Sequence, residues 1–153
     1  PQDARRLELV LVMDKIVYKQ HEPIYCYAYI KNISDSLIMI NRRFAGDIYL
    51  ANPDADISFE LTPSPEEKYY ATHAVRKIYP GDFDTLSPQE RFYAWGSYII
   101  ADGDKRTLKA GSYKIKAKYK NYYQPSYGGQ SAGIHRIIWL GEAESAEIEF
   151  KVE

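Results

Sequence analysis

Apolar and polar residues alternate along most of this chain with a period of two, the pattern of β-strands that have one face on a core and one toward water. Leu7, Leu9, Leu11 and Met13 share one face of an opening strand. Ile24, Cys26, Ala28 and Ile30 share one face of the next, opposite Tyr25, Tyr27, Tyr29 and Lys31. Phe92, Ala94 and Gly96 alternate with Tyr93, Trp95 and Ser97 and run on into Tyr98, Ile99 and Ile100, which predicts a long, well-buried strand. Tyr113, Ile115, Ala117 and Tyr119 stand against Lys114, Lys116, Lys118 and Lys120, and Ala146, Ile148, Phe150 and Val152 against Glu147, Glu149 and Lys151. The lysine-faced and glutamate-faced strands are expected side by side, since opposite charges across a strand pair attract. Shorter strands are expected at Leu37–Ile40, Ile48–Ala51 and Ile57–Leu61, and only Tyr69–Ile78 admits a helical reading, through Tyr70, Ala74 and Ile78.

Turn-forming residues separate these runs at Lys19–Pro23, Asn32–Ser36, Asn52–Asp54, Pro63–Glu67, Leu86–Glu90, Asp102–Asp104 and Ala110-Gly111. Short strands at this spacing predict an all-β fold, an immunoglobulin-like antiparallel β-sandwich of about 7–9 strands. With 153 residues the chain is one domain, 1–153, with residues 1–6 expected to fray.

Composition narrows the function more by exclusion than by indication. Twenty basic against 21 acidic residues leave a net charge of -1, which gives no field to attract nucleic acid. No apolar run is long enough for a membrane span. The single Cys26 rules out an intramolecular disulfide or a multi-cysteine zinc site, and no cofactor signature is present. The chain starts at Pro1, from which a lost leader and a secreted, periplasmic or cell-envelope location are expected. Its 15 tyrosines against 5 phenylalanines are the unusual feature.

Three phrases resemble those of bacterial immunoglobulin-like modules: VYKQHEPIYCYAYIKNISDS (17–36), TLSPQERFYAW (85–95) and LKAGSYKIKAKYKN (108–121). The pattern is also similar to the sandwich of bacterial intracellular proteinase inhibitors of the BsuPI type. The resemblance implies the fold and brings no functional residue with it, because these phrases are structural. His21 and Gln89 stand where such modules usually carry glycine, so those two turns are expected to differ in type.

Gly129-Gln130-Ser131-Ala132-Gly133 matches the G-x-S-x-G nucleophile elbow by letter, but no strand and helix flank it and only His135 follows, so a small-residue loop is preferred. His21, His73 and His135 are scattered without ligand spacing. Asn52, Asp54 and Asp56, with Asp47, begin like a calcium loop, but Ile57 and Pro63 fall where its glycine and glutamate belong, leaving at most an irregular site. Asn32-Ile33-Ser34 is a glycosylation sequon. The lysine stripe reads as the defence of an exposed sheet edge rather than a polyanion site.

The best candidate for function is 121–141, a stretch of roughly 20 residues between two strands and too long for a plain hairpin loop. Tyr122, Tyr123, Tyr127, His135 and Trp139 are its candidate binding residues, with internal packing of the segment as the competing reading. Tyr25, Tyr27 and Tyr29, with Tyr18 nearby, form a second aromatic set that is either an exposed face or the interior of a second layer; alternation does not decide between two apolar faces, and a core stripe is the preferred reading. These observations describe a non-catalytic module, expected to bind a protein partner. Carbohydrate binding, proteinase inhibition and an accessory structural role are the alternatives.

Overall fold

The computed structural model describes residues 6–42, 57–63, 80–93, 98–101, 103, 107–122 and 137–153. The described strands are β1 (Leu7–Met13), β2 (Val17–Tyr18), β3 (Ile24–Asn32), β4 (Ile38–Asn41), β5 (Ile57–Thr62), β6 (Phe83–Leu86), β7 (Arg91–Tyr93), β8 (Tyr98–Ala101), β9 (Gly111–Asn121), β10 (Gly141–Glu144) and β11 (Ile148–Val152). They form an all-β sandwich. One sheet centres on β3, with antiparallel β1 on one side and β7 and β8 on the other. The other centres on β9, with β5 on one side, β10 and β11 in succession on the other, and β2 beyond β11 in parallel. The ribbon of β4 and β6 is a third, two-stranded unit.

Eleven strands lie among the described residues, against the expected seven to nine, and interruptions within single runs add to the number. Between Met13 and Val17 the chain leaves the β3 sheet and joins the edge of the β9 sheet. Tyr93 lies opposite Tyr29 and Tyr98 opposite Cys26, so β7 and β8 pair with β3 in registers two residues apart. Of the long strand expected through 92–100, β7 and β8 are the described parts, and its start is wetter than expected, with Arg91 and Tyr93 exposed and Phe92 half-buried. Another interruption is at Ser145. Its N–H donates to the Ala117 carbonyl at 2.9 Å and its hydroxyl accepts from the Ala117 N–H at 2.8 Å, so a side chain replaces a missing ladder bond. Ser145 points inward there and Ala146 is exposed, which displaces the expected alternation by one residue before Ile148 restores it.

Between the sheets lies one core: Leu9 and Leu11 of β1, Ile24, Cys26, Ala28 and Ile30 of β3, Ile57, Phe59 and Leu61 of β5, Tyr113, Ile115, Ala117 and Tyr119 of β9, and Phe150 and Val152 of β11. Each set repeats every second residue, so the strand periodicity in the sequence is the periodicity of burial. Tyr113, at the start of β9, stacks on Phe150 with centroids 5.4 Å apart and donates its hydroxyl to the Lys109 carbonyl at 2.6 Å. A tyrosine at a strand entry bonding the backbone a few residues upstream is the tyrosine corner of β-sandwich domains, and it fixes how the chain enters its central strand. At the other end, Arg6 is already tied in through the Ile33 N–H at 3.0 Å, so pairing reaches the last residue of the stretch expected to fray.

Two turns share one construction. Glu22 N–H donates to the Lys19 carbonyl at 3.1 Å and Glu90 N–H to the Ser87 carbonyl at 3.0 Å. In each the glutamate carboxylate reaches back to accept from the first residue's N–H, Lys19 at 2.8 Å and Ser87 at 2.9 Å. The third residue of each is left-handed, His21 at φ 64° and Gln89 at φ 68°. The turns thus keep the conformation that glycine would favour, as in a type II turn, and the side chains carry the strain. His21→Gly and Gln89→Gly should each raise stability by about 0.5–1 kcal/mol, read as a shift in urea midpoint at constant slope. An unchanged or lower midpoint would show that the side chains earn their place through contacts elsewhere.

A candidate binding face on the β3 sheet

Because Ile24, Cys26, Ala28 and Ile30 point into the sandwich, Tyr25, Tyr27 and Tyr29 point out of it. Of the two readings of this aromatic set, the exposed face holds and the preferred core stripe does not: Tyr25 and Tyr27 are each 39% exposed, and Tyr29 is half-buried among its neighbours. Tyr18, which sequence proximity grouped with them, is the exception. It sits on β2 in the other sheet, 1% exposed, edge-on to Phe150, with its hydroxyl on Asp14. Burial and the Asp14 carboxylate both push the Tyr18 phenol well above its ordinary range, so it is a core donor and not a contact residue.

Antiparallel register completes the outer face. Val10 and Val12 of β1 lie opposite Tyr29 and Tyr27, and Tyr93 of β7 lies opposite Tyr29 on the other side. Tyr93 is half exposed, with its ring 5.1 Å from Tyr29 and 6.3 Å from Tyr27. The planes are inclined by 44° and 41°, so the rings make a faceted cluster rather than a flat plate. Next along the strands comes a charged row in which Glu8, Lys31 and Arg91 are cross-strand neighbours. The Arg91 guanidinium lies 5.0 Å over the Tyr29 ring and donates to the Tyr93 hydroxyl at 3.4 Å, which holds it against the aromatic cluster.

The outer face of the β9 sheet is of the opposite character. Lys118 pairs with Glu60 at 2.8 Å and Glu144 at 3.6 Å, Lys116 with Glu144 at 3.5 Å and Lys114 with Glu147 at 3.8 Å. Lysine and glutamate strands do lie side by side, as their alternation predicts, with Glu144 opposite Lys118 and Glu149 opposite Lys114. The lysines are not an edge defence, however. They stand on the central strand of a five-stranded sheet, and acidic neighbours on both sides neutralise them. Such exposed pairs contribute a few tenths of a kcal/mol each, roughly, and leave little unsatisfied charge for a partner.

Of the five candidate residues of 121–141, the structure describes two. Tyr122 is 62% exposed beyond the end of β9, and its phenol is raised by a hydrogen bond to Glu142 and by that carboxylate's charge. Trp139 is half-buried, packs against the core and stacks on Tyr119 at 5.5 Å. Its carbonyl accepts from Asn121 Nδ2 at 3.0 Å, and Ile138 bridges to Met39, so residues 137–139 lie along β4. Tyr123, Tyr127 and His135 lie outside the described residues, as do Ser131 with its elbow-like motif, His73, the 69–78 segment, the strand expected at 48–51 and the calcium-like Asp47, Asn52, Asp54 and Asp56.

Asn32 loses its reading as a glycosylation acceptor. It is fully buried, its Nδ2 donates to the Ser36 carbonyl at 2.8 Å and the Leu86 carbonyl at 2.9 Å, and its Oδ1 accepts from the Ser34 N–H and hydroxyl at 2.9 and 2.7 Å. Both amide hydrogens are engaged inside the protein, where no glycosyl group has room. Cys26 is likewise buried, and burial alone pushes its thiol far above the usual range, so it has none of the thiolate character a nucleophile needs. Among the described residues no helix is long and apolar enough to cross a membrane.

Compared with known proteins, the sequence matches no family model and no curated protein.

Proposed function

We propose that this domain is a protein-binding module whose contact surface is the outer face of the β3 sheet. The observation that carries the reading is the set of three tyrosines, Tyr25 and Tyr27 of β3 and Tyr93 of β7, exposed together on the outer side of a sheet whose other side is core. Single exposed apolar residues are ordinary, but a contiguous patch of large rings beside Val10 and Val12 marks an interaction surface. Tyrosine and arginine are the residue types that carry binding energy at protein interfaces, because each offers a large rigid contact area with a polar end. Stacking on a sugar favours a flatter platform than rings inclined by 44° and 41° provide, so carbohydrate binding is the weaker alternative. Relative to 121–141, this face has the advantage that its rings are not spent on the core, as Trp139 is.

The test is selection of peptides from a random display library on the wild-type domain, with a glycan array run in parallel. Each selected ligand is measured again on a Tyr25→Ser, Tyr27→Ser, Tyr93→Ser variant, which exchanges only outward side chains and should unfold within a few degrees of wild type. Loss of about tenfold or more in peptide affinity supports the reading. Peptides that bind both forms equally would move the site off this face and overturn it. Glycans that depend on the three tyrosines, with no peptide that does, would replace it with a carbohydrate-binding module.

A further inference from the structure

We infer that the partner segment covering this face is an acidic peptide, with a carboxylate received between Lys31 and Arg91 and an apolar side chain laid on Tyr27 and Tyr93; this rests on the protein-binding reading above. One positive charge on this face is left unbalanced. Lys31 and Arg91 are directly opposite across the β3–β7 pair, and like charges in that relation repel. Neither has an ion-pair partner among the described residues, whereas Lys114, Lys116 and Lys118 on the other sheet all do. Glu8 stands opposite Lys31 on the far strand, so the row from β1 to β7 reads acid, base, base and ends with one cation in excess.

Arg91 is also placed as a receptor for a carboxylate. A free surface arginine loses side-chain entropy when it binds, but this one already lies over the Tyr29 ring and against the Tyr93 hydroxyl. One of its five N–H donors is used there, and the rest of the planar fork remains to meet a carboxylate, which arginine does with two parallel bonds. The exposed rings of Tyr27 and Tyr93 adjoin it, so charge and apolar contact are offered together, which is what a short acidic segment with an interspersed hydrophobic residue supplies.

Defined probes decide the matter. Binding of a random Glu–Tyr copolymer, a Lys–Tyr copolymer and polygalacturonate is measured at low and moderate salt on the wild type, on Lys31→Gln with Arg91→Gln, and on Lys31→Glu with Arg91→Glu. All four substitutions are on an outward row and leave the core intact. The Glu–Tyr copolymer should bind the wild type, weaken with salt, and lose about tenfold or more in the neutral variant, while the charge-reversed variant should turn to the Lys–Tyr copolymer. Equal binding of the Glu–Tyr copolymer by all three proteins overturns the inference. So does charge-dependent binding of polygalacturonate without the copolymer, which would make the occupant a sugar acid. If library peptides that depend on the tyrosines prove neutral or basic, the acidic occupant is refuted while the protein-binding face stands. If no peptide depends on the tyrosines, both fall.

Discussion

Asn32→Ala should cost about 3–5 kcal/mol, the largest effect of any single polar substitution in this domain. Four side-chain bonds converge on one buried amide, and the main chain of the same residue adds two more, its N–H donating to the Glu90 carbonyl at 3.0 Å and its carbonyl accepting from Gln89 at 2.8 Å. The residue thereby joins the end of β3, the 32–36 turn, the end of β6 and the 87–90 turn. Removing the amide strands the Leu86 carbonyl and the Ser34 N–H, each at about 1–3 kcal/mol if fully uncompensated, while the Ser34 hydroxyl and the Ser36 carbonyl keep only their bond to each other at 3.2 Å. Asn32→Asp keeps the acceptor side but turns a carboxylate toward two carbonyls, so it should cost at least 2 kcal/mol, roughly. Ser34→Ala, which removes one hydroxyl, should cost about 1 kcal/mol. Urea unfolding gives the ranking, and the buried Cys26 thiol gives an independent one, since it reacts with a thiol reagent only when the sandwich opens. An alanine variant within 1 kcal/mol of wild type would mean that the buried polar hub is replaceable.

Tyr119→Phe is expected to follow, with a loss of about 2 kcal/mol. The Tyr119 hydroxyl accepts from the Asn41 N–H at 3.1 Å and donates to the Asn41 carbonyl at 2.8 Å, a side chain imitating a strand neighbour. Its ring is 1% exposed and carries Trp139 on one face. The ring stays in the phenylalanine variant, so the cost isolates the two bonds that moor the β4–β6 ribbon to the central strand. Hydrogen exchange should show the effect locally, with the Asn41 amide losing protection more than the amides of β11. Uniform loss across both would assign the hydroxyl a global role instead.

How far the sequence reveals this structure depends on strand length and on the contrast between faces. β1, β3, β9 and β11 were legible because each presents several alternate residues of one kind. β2, β6 and β10, of two, four and four residues, were not. A strand that short owes its existence to the partner it pairs with, and Val17-Tyr18 carries no period of its own. The inward face of β3 was ambiguous for another reason: isoleucine, cysteine and alanine on one side and tyrosine on the other are both apolar enough to be core. What decides it is that small Cys26 and Ala28 allow the sheets to approach, while a phenol can keep its hydroxyl wet when its ring lies on the outside. Arg91 alternating with Tyr93 was the available signal, since a guanidinium two residues from a tyrosine on a strand places both on the solvent side. The role of Trp139 was out of reach, because Tyr119 and Met39, which hold it and its neighbours, are distant in sequence.

The parallel pairing of β2 with β11, Val17 beside Lys151 and Tyr18 beside Val152, sets the order of events during synthesis. A ribosome must deliver the residues through β11 before Tyr18 can meet Phe150, and until then the strand edge of β9 that β11 will cover lies open. A pairing between segments so far apart in sequence is the kind of contact that slows folding, because the loop it closes costs entropy before the contact offsets it.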